Sequence, residues 1–223
     1  MGADVRGAGT DTVTVGSLSP EKHIACRIIP DRIVASTIAC AAACTGGNVE
    51  LRGIDPRQFS TVLRFLNQAG CDIISTDRSV RLRSEGELKA VGEISTAPYP
   101  GFPTDAQPVL MAALLKAKGL TRITENIFEN RYRQVDELIR MGADIQVSGR
   151  VAVVSGTDTL YGAAVQCTDL RGGAALCVAA LAAEGESRIM RIGHIDRGYE
   201  SLERDLSALG ADIVRIETEQ IEG

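Results

Sequence analysis

Tryptophan is missing from this 223-residue chain, and all aromatics together reach 4% against 44% hydrophobic residues. That excludes a core built on large rings and calls for an aliphatic, alanine-rich one whose elements approach through small side chains. Histidine occurs only at His23 and His194, and none of the six cysteines (Cys26, Cys40, Cys44, Cys71, Cys167, Cys177) forms a CxxC pair. Neither a metal site nor a disulfide framework is therefore expected; buried, reduced thiols in a reducing compartment are. A basic balance is also lacking: the net charge is −5, which argues against a nucleic-acid partner. The longest apolar run, residues 33–44, is too short and too rich in Ala, Ser and Thr to span a bilayer. The leading MGADVRGAG has no signal-peptide apolar region, and Arg6 breaks a myristoylation pattern. The expected location is cytoplasmic, with no membrane partner.

What is present is repetition. A Gly-Ala/Cys-Asp-Ile/Val tag stands at Gly2, Gly70, Gly142 and Gly210, a period of 68 to 72 residues. This is too long for a solenoid and suits a unit of two helices and several strands. The last three tags each follow an amphipathic helical pattern, over 59–69, 133–141 and 199–209, with the tag glycine as the stop. Two short β-like runs follow a tag, as in DIQVSG and RVAVVSG. Upstream, helices of small residues are predicted over 32–44, 106–118 and 170–183, each running into a strand (NVELRGI, TRITENIF, SRIMRIGHI). Three such units predict an α/β (α+β) fold: an inside-out α/β barrel of three repeated units with pseudo-threefold symmetry, small-residue helices inside and sheets facing out. Residues 1–16 match only the tail of a unit. Residues 1–22 are thus expected to be the tail of a preceding domain and 23–223 the three-repeat domain. Either the chain is part of a longer enzyme or another chain supplies the missing helices; the first reading is adopted.

The predicted helix starts carry acids and arginines in a recurring order. Asp31-Arg32, Thr104-Asp105 and Asp169-Leu170-Arg171 open the small-residue helices; Asp55-Pro56-Arg57, Glu129-Asn130-Arg131 and Asp196-Arg197 open the amphipathic ones. Capping accounts for the acids. It accounts poorly for the arginines, because a cation beside a helix N-terminus is disfavoured. Arginines there make sense around an anion, which helix amides and forked guanidiniums would hold together. Arg131, Arg171 and Arg197 are then either the lining of one anion pocket, with Asp105 on its rim, or three unrelated surface groups. One junction differs from the rest: APYPGFPTDAQP, residues 97–108, sets four prolines and a glycine around Asp105. Prolines fix φ and keep the preceding residue out of the α region. A stiff, extended approach presenting Asp105 at a helix N-terminus is predicted.

PYPGFPTDAQ, ENIFENRY, CTDLRGGAAL and GHIDRGYESLERDLSALGADI closely resemble the C-terminal half of the UDP-N-acetylglucosamine enolpyruvyl transferase family, and the resemblance runs along essentially the whole chain. Enolpyruvylshikimate phosphate synthases share the architecture and match these motifs less well; RNA terminal-phosphate cyclases are more distant still. The resemblance implies a two-domain enzyme of peptidoglycan biosynthesis with its active site in the cleft between inside-out domains. It would move the enolpyruvyl group of phosphoenolpyruvate to the 3-hydroxyl of UDP-N-acetylglucosamine, release phosphate, and need no cofactor. It further implies that Asp105 contacts that hydroxyl, as general base or as orienting acceptor, and that the backbone of Ile127 contacts the nucleotide sugar. Arg131, Arg171 and Arg197 would surround phosphoenolpyruvate and the tetrahedral intermediate, Arg197 standing with Asp105 as catalytic. Fixed positive charge and a proton acceptor suit addition and elimination at a phosphorylated carboxylate.

Two features of the family have no counterpart here: a Lys-Asn pair near its N-terminus, and a mobile loop carrying a cysteine or aspartate acid. The chain is accordingly expected to depend on a missing N-terminal domain of the same protein and to be inactive alone. Two other readings stay open, a non-catalytic module binding an anion or nucleotide sugar, and a purely structural fragment.

Overall fold

Small side chains decide the centre of this fold. Asp31 accepts hydrogen bonds from the amides of Ile33 and Val34 at 2.7 and 3.3 Å and so opens helix α1 (Arg32–Thr45), which Gly46 closes at φ 76°. Residues 33–44 are almost all buried; the polar ones, Ser36 and Thr37, return their hydroxyls to the carbonyls of Arg32 and Ile33. Helix α3 (Gln107–Ala113) is buried throughout, and it packs on α1 and on α5 (Leu170–Leu181), which also meets α1. Three helices can share one centre only where Ala, Gly and Cys face each other. Gly173 in α5 shows how little room remains: a Cβ there would lie 2.8 Å from Ile195 and 2.9 Å from Cys167.

The computed structural model describes residues 3–18 and 25–216, divided into two units, Met1–Pro30 and Asp31–Gly223. The expected boundary between residues 22 and 23 lies outside the described residues. In the first unit β1 (Ala3–Arg6) and β2 (Thr14–Leu18) form an antiparallel hairpin with Val5 opposite Val15. In the second, β3 (Asn48–Arg52) and β4 (Asp72–Ser75) flank β5 (Ser79–Arg83), all antiparallel. A four-stranded sheet follows in the order β6 (Gly92–Ser95), β7 (Leu120–Thr124), β9 (Val151–Ser155), β8 (Asp144–Ser148). Last come β10 (Ala164–Gln166) and β11 (Arg188–Met190), parallel to each other. Alternate residues such as Val80 and Leu82, or Ala152 and Val154, turn inward and are buried. The three sheets of the second unit stay separate, so the expected barrel is a helical centre faced by sheets without strand-to-strand closure among the described residues.

The amphipathic helices are α2 (Ser60–Gln68), α4 (Val135–Arg140) and α6 (Leu202–Ala208). Each buries one leucine at the same place in the repeat, Leu66, Leu138 and Leu206, and each such burial contributes about 1.5–3 kcal/mol. The same three leucines accept, at their carbonyls, the amides of Cys71, Ala143 and Ala211 at 3.0, 3.2 and 3.1 Å. Gly70, Gly142 and Gly210 hold φ of 111°, 92° and 102° to allow it. The tag is thus a Schellman stop repeated three times.

Several predicted elements came out shorter. The helix expected over 106–118 ends at Ala113, because the chain beyond it bonds sideways, the Leu115 carbonyl accepting the amide of Thr157 at 2.9 Å. SRIMRIGHI is a strand only over Arg188–Met190; Arg191 then turns left-handed at φ 59° and opens the 3-10 turn Ile192–Arg197. The strands β6 and β10 were not expected, since three or four residues carry too little periodicity. Each makes a parallel pair with the strand beyond the next small-residue helix, so α3 and α5 are crossovers of βαβ units.

Candidate active site

The proline stretch is not an extended approach. Its chain folds back: the amide of Ala97 donates to the carbonyl of Phe102 at 3.0 Å, and that of Gly101 to the carbonyl of Pro98 at 2.7 Å. A Cβ on Gly101 would lie 2.6 Å from that of Ala97, so the turn requires glycine. Phe102 is buried edge-on against Phe65 of α2, ring centres 5.4 Å apart, which pins the loop to the core. Pro103 is extended, at φ −75° and ψ 133°, and it delivers Asp105 into the 3-10 turn Thr104–Ala106.

Asp105 does not cap its helix. Neither this turn nor α3 has a side-chain cap bond, whereas Asp31 and Asp169, at equivalent places, both cap. The Asp105 carboxylate instead takes Nη2 of Arg131 on Oδ1 at 2.9 Å and has Nη2 of Arg171 3.5 Å from Oδ2. Charge-assisted bonds to guanidinium are stronger than a neutral amide cap. Both arginine side chains are 14% exposed and the carboxylate is 45% exposed, so the acid faces solvent over two largely buried cations. Arg131 also donates to the carbonyl of Thr104 at 3.2 Å and lies 5.6 Å over the Phe128 ring. Arg171 lies 5.9 Å over Tyr199, whose hydroxyl meets that of Thr37 at 2.8 Å. Burial pushes the Tyr199 phenol up, although its bond to Thr37 and the charge of Arg171 pull the other way. Nε of Arg131 and Nη1 of Arg171 are buried without a hydrogen-bond partner among the described residues. Two cations, one carboxylate and unused donors make a site with surplus positive charge, suited to an anion.

Ile127 is 39% exposed, and its amide is already used, donating to Oε1 of Glu125 at 2.8 Å. What Ile127 can offer a ligand is its carbonyl and side chain. Arg197 stands apart from the Asp105 group: it is exposed at the end of its 3-10 turn and makes no ion pair among the described residues. Its neighbour Gly198 packs on Leu170, so that turn abuts the start of α5. Other junction groups pair away from Asp105, Arg57 with Asp55, Arg150 with Glu129, and Asp196 with Arg215. Sequence reasoning missed Glu125, a buried carboxylate between Thr96, Thr104 and the 127–128 backbone; flanked by Thr124 and Asn126, it carries no local signal of burial. A groove of about 380 Å³ runs beside the site along Arg131, Tyr132, Val135, Ile139 and Ile145, but neither Asp105 nor Arg171 lines it. The charge arrangement, not that groove, marks the site. Among the described residues no group of His, Cys, Asp and Glu is placed to hold a metal ion, and no helix is long and apolar enough to cross a membrane.

Fold and site together define an α/β domain of repeated units that presents one carboxylate over two arginines drawn from different repeat junctions. The chain belongs to the EPSP synthase (3-phosphoshikimate 1-carboxyvinyltransferase) family, whose model it matches over residues 1–206. It is 50% identical to a UDP-N-acetylglucosamine 1-carboxyvinyltransferase of Chelativorans sp. (strain BNC1), over 97% of this chain and 50% of that protein. It is 48% identical to UDP-N-acetylglucosamine 1-carboxyvinyltransferase 3 of Caldanaerobacter subterraneus subsp. tengcongensis, over 97% of this chain and 52% of that one. Among solved structures, the enolpyruvyl transferase NikO of Streptomyces tendae matches with a TM-score of 0.82 and 29% identity, over 95% of this chain and 51% of that chain. An EPSP synthase of Acinetobacter baumannii shares the fold at a TM-score of 0.71 and 18% identity, over 94% and 52% of the two chains. The chain spans about half the length of the curated relatives it matches.

Proposed function

We propose that this chain supplies one half of the active site of a cytoplasmic enolpyruvyl transferase. The enzyme joins the 3-hydroxyl of UDP-N-acetylglucosamine to the enolpyruvyl group of phosphoenolpyruvate and releases phosphate, a step of peptidoglycan biosynthesis and hence of cell wall formation and cell shape. The observation that carries this reading is the Asp105 carboxylate, uncapped where its repeat equivalents cap and held by Arg131 and Arg171. A phosphate or carboxylate arriving at these guanidiniums competes with Asp105 for them, and a displaced carboxylate oxygen is then free to accept from a hydroxyl. In the addition step the sugar oxygen bonds to C2 of phosphoenolpyruvate, its proton going to Asp105 as C3 gains one from an acid on the other half of the cleft. In the elimination a base of the cleft takes a proton from C3, the C2=C3 double bond re-forms, and the C2–O bond breaks with its electron pair leaving on phosphate. Arg131 and Arg171, joined by Arg197 on closure, balance the negative charge throughout, and Ile127 offers its carbonyl to the nucleotide sugar. The second domain of the same protein supplies the rest.

The half-length match also favours one other reading, a non-catalytic module of the same fold that binds an anion or nucleotide sugar. A phosphate-release assay separates the two. The chain alone should show no turnover, and the chain joined to the N-terminal half of a curated relative should release phosphate. Normal turnover by the chain alone would defeat the half-site reading. A joined protein that binds UDP-N-acetylglucosamine without releasing phosphate would favour the binding module.

A further inference from the structure

We infer that Glu125 is a positioning residue that locks the Asp105 turn to the 126–128 loop, and so sets the geometry of Asp105, Arg131 and Ile127; its effect on ligand binding rests on the function proposed above. Glu125 is 1% exposed and forms no ion pair among the described residues. Burying a carboxylate with no cation opposite is costly unless donors surround it. Here they do. Oε1 accepts from the Thr96 hydroxyl at 2.9 Å and from the amides of Ile127 and Phe128 at 2.8 and 3.1 Å; Oε2 accepts from the Thr104 hydroxyl at 3.0 Å. The Thr96 hydroxyl itself accepts the amide of Asn126 at 2.8 Å, so its proton is committed to Glu125.

The partners matter more than their number. Thr96 and Thr104 are the two ends of the folded-back proline loop, and one carboxylate clamps both. Arg131 touches the clamped parts on either side: it donates to the carbonyl of Thr104 and to Asp105, and its guanidinium lies over Phe128. Among the described residues the Glu125 carboxylate bonds neither Asp105 nor a guanidinium, so it acts through Thr104 on one side and through the 127–128 backbone on the other.

Two readouts test the inference: amide hydrogen exchange by NMR on this chain, and titration of the joined two-half protein with UDP-N-acetylglucosamine. In E125A, exchange at Ile127 and Phe128 should quicken by about tenfold or more while amides of α1 and α5 keep their rates, since the opening is local. E125Q should restore protection: its carbonyl can take the three donors of Oε1, and its amide can donate to Thr104. T104V cuts only the Asp105 side; it should leave exchange at Ile127 and Phe128 unchanged and weaken nucleotide-sugar binding by about tenfold. Unchanged exchange at Ile127 and Phe128 in E125A overturns the inference, as does a uniform rise through α1 and α5 or binding undiminished in T104V. If E125A does not fold, E125Q and T104V decide. If the unaltered joined protein fails to bind UDP-N-acetylglucosamine, the proposed function is overturned and the exchange rates still decide the role of Glu125.

Discussion

Asp105 and Asp169 occupy the same place in successive repeats and use their carboxylates in opposite ways. Asp169 accepts the amides of Arg171 and Gly172 at 3.0 and 2.8 Å and caps α5. Asp105 leaves the helix amides alone and turns to the side chains of Arg131 and of that same Arg171. The second acid therefore starts the helix whose first turn carries an arginine to the first acid. A cap serves its own helix, whereas a carboxylate held across repeats by two cations is placed for something outside them.

This difference predicts unequal effects of two alanine substitutions. Asp169→Ala should cost about 1 kcal/mol of stability, the usual loss of a helix cap. Asp105→Ala removes a half-exposed ion pair, so about 1 kcal/mol or less is expected, while phosphate release by the joined two-half enzyme should vanish. Urea unfolding and the phosphate assay check both. Unchanged turnover in Asp105→Ala would remove this carboxylate as the base.

Arg197 makes no ion pair among the described residues, so its removal should leave stability within about 0.5 kcal/mol. In the joined enzyme Arg197→Ala should raise the KM for phosphoenolpyruvate by about tenfold or more and alter that for UDP-N-acetylglucosamine far less, as expected for a cation facing the phosphorylated substrate. The reverse pattern would assign Arg197 to the nucleotide sugar.

The repeat was legible because its stops are chemical: Gly70, Gly142 and Gly210 have to adopt positive φ, and each follows a buried leucine by four residues. The Asp105 group was legible only as a set of residue types. Nothing in the order of residues says that Arg131 and Arg171, forty positions apart, reach one carboxylate; α5 packs beside α3 and brings Arg171 there, while Arg131 reaches it from the segment between β7 and α4. Capping looked equally available to Asp31, Asp105 and Asp169, and the proline loop decided otherwise by folding back on Thr96. Glu125 stayed hidden for a related reason. Its four donors come from three separate stretches, and an acid at a strand end reads as surface until they converge.

The thiols give a prediction in pH. Burial pushes Cys44 and Cys177 up to about 12 and Cys167 up to about 11, from an ordinary 9.0. Folded thiols then stay protonated at a pH where those of the unfolded chain lose their protons. The stabilisation is complete below pH 9 and is lost as pH rises from there towards 12. Each of the three should cost about 1.4 kcal/mol between pH 8 and pH 10, visible as a lower urea midpoint. Over the same range a thiol reagent should label Cys26, the exposed cysteine, and spare the other five until the chain unfolds. Stability that is flat to pH 10 would mean that these thiols are reached by water.

Two glycines separate the backbone reason for glycine from the steric one. Gly70 holds φ 111° with nothing within 4 Å of the Cβ position, so Gly70→Ala should cost only the strain of a left-handed residue, about 1–2 kcal/mol. Asparagine, which tolerates that conformation, should recover part of it. Gly173 sits in helical backbone, where alanine is favoured by about 1 kcal/mol, yet its added Cβ meets Ile195 at 2.8 Å and Cys167 at 2.9 Å. Overpacking of that kind costs about 1–3 kcal/mol, so Gly173→Ala should be neutral to destabilising, and Gly173→Asn worse. The pair can be told apart by a double-mutant cycle. Cys167→Ala removes the sulfur in the way and should restore stability to Gly173→Ala beyond the sum of the single effects, while leaving the cost of Gly70→Ala unchanged. Additive effects of Cys167→Ala and Gly173→Ala would mean that α5 shifts as a body instead of meeting a fixed wall.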